Sequence, residues 1–409
     1  MNILYLEHYA GSPEMGMEFR PYYLAREWVK AGHDVRIAAG DYSHLRGKNP
    51  AVSADFETQE TDGITYVWVK TGTYSGNGVS RALSMFRFVW KLRRRASRIA
   101  REWKPDVVIC SSTYPMDTWA GQKIRRKSGA KLLHEVHDMW PITLIELGGM
   151  KKSHPFVMLN QAAENSFCRH SDGVVSLLCA AKDYFVAHGM APEKFHVVMN
   201  GVVREEWEHP APLPAEHAEI LSRLRAEGKF IICFFGSVTK SYAVEYLLRA
   251  LDLAGDSRAA AVIVGEGNLK DTLREAAGEK DGKQVFFLPR IPKAAVPSLT
   301  EAVDCSYVGA LRNDMFRFGI CMNKLFDAMM AGKPVLYAVD APNNLIRDYG
   351  CGVSVEAENA EALAEGIRTL LAMSPQERQR LGENGRRAVL EHFTYEKLAE
   401  QFLEVMRNP

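Results

Sequence analysis

The sequence predicts an α/β protein built from two doubly wound parallel-sheet domains facing a cleft. Short apolar, β-branched runs alternate with helical pattern along the chain. The series stops at the turn dipeptide Asn200-Gly201 and restarts at Phe230. At 409 residues the chain is also too long for one ordinary hydrophobic core.

The first series of expected strands is Asn2–Tyr9, Asp34–Ala39, Ile64–Lys70, Asp106–Ser111, Lys131–Val136, Gly173–Leu178 and Phe195–Met199. The second is Phe230–Phe235, Ala260–Val264, Val285–Leu288, Asp304–Val308, Pro334–Val339 and Gly352–Val355. Strand, helix, strand at this spacing implies parallel sheets with right-handed crossovers. Domain boundaries are expected at 203/204 and 385/386. Residues 386–409 then form a C-terminal segment whose helix, N-capped by Thr394, crosses back to the first domain. Its apolar positions Tyr395, Leu398, Phe402, Val405 and Met406 share one helical face.

Composition narrows the function. A formal net charge of +1 argues against a dedicated nucleic-acid binder. Seven cysteines lie scattered without CxxC or metal-ligand spacing, which reads as free thiols in a reducing compartment. Met1 runs straight into Asn-Ile-Leu-Tyr-Leu with no basic leader, and no run of 18 apolar residues occurs. A cytoplasmic protein is expected.

Ligands of open parallel sheets sit beyond the carboxyl ends of the strands, so the loops there carry the functional argument. Gly11 to Arg20 follows the first strand and includes Gly16, where the backbone can approach a ligand at a helix start. It lacks the GxGxxG dinucleotide pattern. His134-Glu-Val-His137-Asp138-Met-Trp140-Pro141 ends another strand. His134 and His137 point to opposite faces, which excludes a zinc pair and leaves His137 and Asp138 at the strand exit. Phe235-Gly236-Ser237-Val238-Thr239-Lys240 has the makings of a phosphate cradle: glycine for approach, then hydroxyls and a lysine at a helix start. The segment Arg312 to Val335 runs through Arg317 and Gly319 into a helix starting near Asn323. Lys324 and Asp327 share a face of that helix, where a lysine suits a diphosphate and a carboxylate suits two ribose hydroxyls. A plain i,i+3 ion pair is the competing expectation.

Six segments together resemble the retaining glycosyltransferase family 4, in the branch that builds bacterial surface polysaccharides. They are Glu18–Val29 with Ala31-Gly32-His33-Asp34-Val35, Lys104-Pro105-Asp106, His137 to Pro141, Asn200-Gly201-Val202, Gly265-Glu266-Gly267, and Asn323–Val335. The resemblance implies a GT-B fold of two Rossmann-like domains, acceptor side first and nucleotide-sugar donor side second. It implies that Lys240 binds the diphosphate, that Asp327 holds the ribose, and that Arg290 and Ile291 lie against the base. His137 falls near the transferred sugar, Gly16 near the donor phosphates, and Gly236, Ser237, Gly319, Ile320 and Asn323 line the donor site.

Two departures accompany it. Gly319 stands where the family carries an acid eight residues before Asp327, and Ser237 replaces an arginine after the phosphate-loop glycine. Lys324, Arg312 or Arg317 is then expected to supply the missing charge. No DxD pair precedes a plausible metal loop, so Lys240 and Lys324 are expected to act in place of a metal, without a cofactor. The resemblance implies a UDP-linked sugar donor, a glycan or polyprenyl-diphosphate-linked acceptor, and retention of configuration. A nucleotide-sugar 2-epimerase and a catalytically silent partner protein are the alternatives.

Arg81–Lys104 carries nine lysines and arginines and one acid, a net +8 on a chain whose total is +1. Met85, Val89, Leu92, Ala96, Ile99 and Trp103 form an apolar stripe. Arg87, Lys91, Arg94, Arg98 and Arg101 lie about 200° away. With Phe86, Phe88 and Trp90 beside it, this basic face suits an anionic membrane surface, hence peripheral docking on the inner face of the membrane.

Overall fold

The computed structural model describes residues 1–16 and 19–409; Glu18, part of the first matching segment, lies outside the described residues. The chain forms two compact units, Met1–Met199 with Tyr395–Pro409, and Asn200–Thr394.

The first unit holds strands β1 (Asn2–Leu6), β2 (Asp34–Gly40), β3 (Glu57–Thr61), β4 (Ile64–Val69), β5 (Val107–Cys110), β6 (Lys131–Val136), β7 (Gly173–Ser176) and β8 (Phe195–Val197). Their order is β3-β4-β2-β1-β5-β6-β7-β8. All neighbours are parallel except β3 and β4, which form an antiparallel hairpin. The central strands read as almost continuous apolar runs because helices cover both faces. β3 is absent from the sequence expectation for the opposite reason. Its residues Glu-Thr-Gln-Glu-Thr are polar, mostly solvent-facing and on the sheet edge. Its signal lay in the turn: Asp62 and Gly63 both take positive φ, as a two-residue hairpin demands.

The second unit holds β9 (Phe230–Phe235), β10 (Ala259–Val264), β11 (Val285–Leu288), β12 (Cys305–Gly309), β13 (Val335–Ala338) and β14 (Gly352–Val355). Its order, β11-β10-β9-β12-β13-β14, is all parallel and is the Rossmann order. The sequence order reverses beside β9 here and beside β1 in the first unit. Those switch points open the crevices where polar groups can gather.

The units divide at 199/200 and 394/395 rather than at 203/204 and 385/386. The second shift has a packing cause. The helix Pro375–His392 runs unbroken past residue 385, and its Gly382 and Gly385 press against the end of the Asn323–Met330 helix. The crossing therefore comes only after His392. The Tyr395–Arg407 helix buries Tyr395, Leu398, Phe402, Val405 and Met406 within the first unit. There Trp28 Nε1 donates to the Ala399 carbonyl at 3.1 Å, and its ring lies 5.3 Å from that of Phe402.

A Cβ at Gly382 would fall 2.0 Å from the Gly332 carbonyl oxygen, backbone that cannot swing aside. Gly382→Ala is expected to destabilise the second unit by about 2–3 kcal/mol, read as a lower urea midpoint. An unchanged midpoint would refute this helix contact.

Candidate functional site

In the first unit the polar groups gather beside the β1/β5 switch point. Tyr5 comes from β1, Ser111 follows β5, Glu135 lies on β6, His137 follows it, and Arg20 reaches in from the Phe19–Lys30 helix. Glu135 is fully buried and joins them. Arg20 Nε donates to its Oε1 at 3.0 Å, Ser111 Oγ donates to Oε2 at 2.6 Å, and the Tyr5 hydroxyl donates to the same oxygen. His137 Nε2 lies 3.2 Å from Oε2 and 2.8 Å from Ser111 Oγ. Arg20 also donates to the carbonyls of Val198 and Met199, at 2.9 and 2.6 Å. Burial alone would raise the Glu135 carboxyl. The Arg20 charge and the bonds from His137 and Ser111 outweigh it and hold the group well below the usual carboxylate range.

With Glu135 ionised, His137 Nε2 is fixed as the proton-bearing nitrogen when the ring is neutral. His137 stays partly exposed at the strand exit, and Asp138 follows at an exposed position. Arg20, Glu135, Ser111 and Tyr5 were not singled out from sequence. The available signal was a charged residue inside the apolar strand Lys131–Val136, which can be buried only with a partner.

His134 points the other way and stacks on Phe167 at 3.9 Å. Among the described residues Cys110, Asp117 and His134 form the one group whose ligand atoms lie within metal-site reach of one another. Burial pushes Asp117 up to about 7, the Cys110 thiol up and His134 down to about 3. Each of these shifts favours the neutral form of its group. Gly16 takes φ +88° and closes a turn, its N–H donating to the Ser12 and Pro13 carbonyls. That N–H is consumed locally and is not presented to an anion.

In the second unit the loops after β9, β10 and β11 meet beside the other switch point. A Cβ on Gly265 would sit 1.8 Å from the Gly236 oxygen, and one on Gly267 would sit 2.1 Å from the Val238 oxygen. Both glycines of Gly265-Glu266-Gly267 are required by this contact. Arg290 approaches Glu266 from the loop after β11, with Ile291 next in line. Gly236 and Ser237 are exposed, and Lys240 opens a short turn, Lys240–Tyr242, at the surface.

Lys324 extends from the start of the Asn323–Met330 helix to Gly236, where its Nζ would lie 2.8 Å from an added Cβ. The Nζ is buried, has no hydrogen-bond partner, and lies 3.3 Å from the Tyr242 ring centre and 4.3 Å from that of Phe234. The competing Lys324–Asp327 pair does not form. Asp327 is instead held by Lys293, at 2.7 and 2.6 Å to its two oxygens. Asn323 is exposed at the helix start; the Ile320 N–H donates to Asn343 Oδ1 at 2.9 Å and its carbonyl accepts from Asn343 Nδ2 at 2.8 Å. Gly319 takes φ +102°, so a glycine suits the position the acid would hold. Arg312 is engaged with Asp340 and Glu356, and Arg317 packs over Phe318. Of the three expected replacement cations, Lys324 is the one whose head group lies against the Gly236 loop.

The basic helix, Val79–Glu102, buries Met85, Val89, Leu92, Ala96 and Ile99. Phe88 belongs with them: it is fully buried and stacked on His8 at 4.6 Å, not beside the basic row as expected. Part of that row is tied down, since Arg87 donates to the Thr71 carbonyl and Lys91 pairs with Asp55. Leu83, Phe86 and Trp90 remain 47%, 39% and 54% exposed. They line an open groove of about 370 Å³ with Arg87, Arg93 and Trp119, and Arg94 lies over the Trp90 ring at 4.8 Å.

Two Rossmann-type domains with their polar groups at the carboxyl strand ends have the architecture of the GT-B class. Residues 15–201 match the model of the glycosyl transferase 4-like domain, and residues 218–388 match that of glycosyl transferases group 1. The chain belongs to this family and is a glycosyltransferase. It is 25% identical over 296 residues to a protein named as the glycosyltransferase WbjE of Pseudomonas aeruginosa, covering 71% of this chain and 70% of that one. It is 24% identical over 279 residues to WcaI of Escherichia coli (strain K12), named as a colanic acid biosynthesis glycosyl transferase, covering 67% and 68%. Sucrose-phosphate synthase from Thermosynechococcus elongatus shares the fold with a TM-score of 0.70 and 16% identity, covering 100% of this chain and 98% of that one. Anabaena Alr3699/HepE, solved in complex with UDP and glucose, does so with a TM-score of 0.64 and 16% identity, covering 100% and 99%. Among the described residues no helix is long and apolar enough to cross a membrane.

Glu135→Gln would leave Arg20 without its buried counter-charge and is expected to cost about 3–5 kcal/mol at neutral pH. Because the folded carboxyl titrates below its unfolded value, its contribution is essentially complete above about pH 5 and is lost progressively as pH falls from there to the folded value. Chemical denaturation should give a constant difference between pH 8 and pH 5. A difference already shrinking at pH 6 would refute the pairing.

Proposed function

We propose that this glycosyltransferase transfers a hexosyl or N-acetylhexosaminyl group from a UDP-linked sugar to a glycan or polyprenyl-diphosphate-linked acceptor in cell-surface polysaccharide synthesis. The transfer retains anomeric configuration and uses no metal. The observation that carries the donor reading is the unpartnered Lys324 Nζ held against Gly236 at the switch point of the second sheet. An amine so placed lacks an anion, and a diphosphate at the glycine loop would provide one. The naming of WbjE and WcaI supports the polysaccharide reading, and the UDP complex of HepE supports the choice of nucleotide.

Departure of the nucleoside diphosphate develops negative charge on its β-phosphate, and fixed cations aimed there lower the barrier. Lys240 and Lys324 supply that charge. Asp327, paired with Lys293, accepts from the ribose hydroxyls. His137, its ring set by Glu135 and Ser111, with Asp138, serves the transferred sugar, and the leaving phosphate helps to deprotonate the acceptor.

Lys240→Ala is expected to lower kcat by roughly 100-fold with the fold intact. Asp327→Asn should weaken UDP binding by about tenfold in calorimetry. Wild-type transfer should persist in excess EDTA. Unchanged turnover in Lys240→Ala, unchanged binding in Asp327→Asn, or chelator-abolished activity restored by magnesium would each overturn the corresponding assignment. Binding without turnover on any acceptor would select the silent-partner alternative.

The exposed Leu83, Phe86 and Trp90 among Arg87, Arg93 and Arg94 support docking on an anionic lipid surface, where aromatics enter the interface and each nearby arginine adds about 1 kcal/mol. Combining Trp90→Gln with Arg94→Gln changes exposed groups and should leave stability within about 1 kcal/mol. Cosedimentation with phosphatidylserine-containing vesicles should fall at least severalfold, and transfer to a water-soluble acceptor should be unaffected. Wild-type protein that ignores such vesicles at low ionic strength would end this reading.

A further inference from the structure

Lys324 is an unusual lysine. Its Nζ is buried without a hydrogen-bond partner, and its nearest groups are two aromatic faces and the glycine loop. It meets Phe234 from β9, Gly236 from the loop after β9, and the Tyr242 ring from the Lys240–Tyr242 turn. On its own helix the one acid, Asp327, is bound to Lys293. The acid of the neighbouring loop, Glu266, is bound to Lys270. No carboxylate among the described residues makes an ion pair with Lys324.

A buried ammonium without a counter-charge is far more costly than a buried amine. The faces of Tyr242 and Phe234 offset only part of that cost. Burial accordingly pushes Lys324 down to about 7. A diphosphate at Gly236 would bring negative oxygens within reach and restore the charged form.

We propose that at mildly alkaline pH Lys324 is largely an uncharged amine in the donor site without nucleotide and takes up a proton from solvent as a nucleoside diphosphate binds. The cation that opposes the diphosphate is created by the ligand's arrival and discharged when the nucleotide leaves. This rests on the donor reading given above. It also accounts for a cationic site that stays folded when empty: giving up the proton caps the cost of holding the lysine among apolar rings until the anion enters.

The proton balance has a definite pH window. Below about pH 7 the lysine is already charged and binding takes up no proton at this group. Above it, uptake rises toward one proton, and Kd for the diphosphate weakens by up to tenfold per pH unit until the bound lysine itself titrates. The terminal phosphate of UDP, with a pKa of about 6, is fully ionised at pH 8.5 and does not contribute there.

Titration calorimetry of the wild-type chain with UDP, GDP, ADP and dTDP, in buffers of different ionisation enthalpy, reads the uptake directly. With the tightest-binding nucleotide the expected result is uptake approaching one proton at pH 8.5, kept in Lys240→Ala and lost in Lys324→Met. Binding at pH 8.5 with a buffer-independent enthalpy, or full uptake retained in Lys324→Met, overturns the proposal and leaves the donor reading standing. Failure of all four nucleotides to bind at pH 6.5, where the lysine is charged, overturns the donor reading and this inference with it. Should Lys324→Met bind too weakly to titrate, the ligand-free proteins still decide. The thermal midpoint of Lys324→Met should exceed that of wild type by a margin that widens as pH falls from about 10 to about 7 and then levels. A margin independent of pH refutes the uncharged amine.

Discussion

Parallel strands sandwiched between helices leave one place for polar chemistry, the carboxyl ends of the strands where the order reverses. Both candidate sites at the strand ends of this chain follow from that constraint. The β9 and β10 residues Phe230–Phe235 and Ala259–Val264 are buried throughout, so the chain can meet a ligand only where it leaves the sheet. There the backbones of Gly236 and Gly265 approach so closely that no side chain fits between them. That contact closes the loops after β9 and β10 on each other and gives Lys324 a surface to lie against.

The two sites solve the burial of charge in opposite ways. In the first unit Glu135 and Arg20 are both buried and neutralise each other, with Tyr5 and Ser111 filling the remaining acceptor positions. Such a network stays ionised and rigid, and it orients His137. In the second unit Lys324 has no partner and gives up its charge instead. A compensated pair suits a fixed scaffold, and an uncompensated amine suits a site waiting for an anion.

Much of this was legible along the chain. Strands β9, β11 and β14 occupy the residues expected from their apolar runs, and the helix face from Tyr395 to Met406 is buried as its spacing implies. The loops at Gly236, Lys324 and His137 were identifiable because glycines, a lysine or a histidine at strand exits are local signals. β3 was not, since an edge strand facing solvent needs no apolar pattern. Phe88 was assigned to the wrong side of its helix because its position lies between two stripes, and only His8 and its neighbours decide which stripe it joins.

The sequence by itself determined the alternation of strands and helices, the two-domain division and the residue types at each strand exit, because these depend on periodicity and near neighbours. Pairing was decided by the tertiary structure alone. Asp327 takes Lys293, 34 residues away, over Lys324 on its own face, and Glu135 takes Arg20, 115 residues away. Long side chains choose partners by which loops the sheet order brings together. Sheet order is a property of contacts far apart in the chain, to which local periodicity is blind.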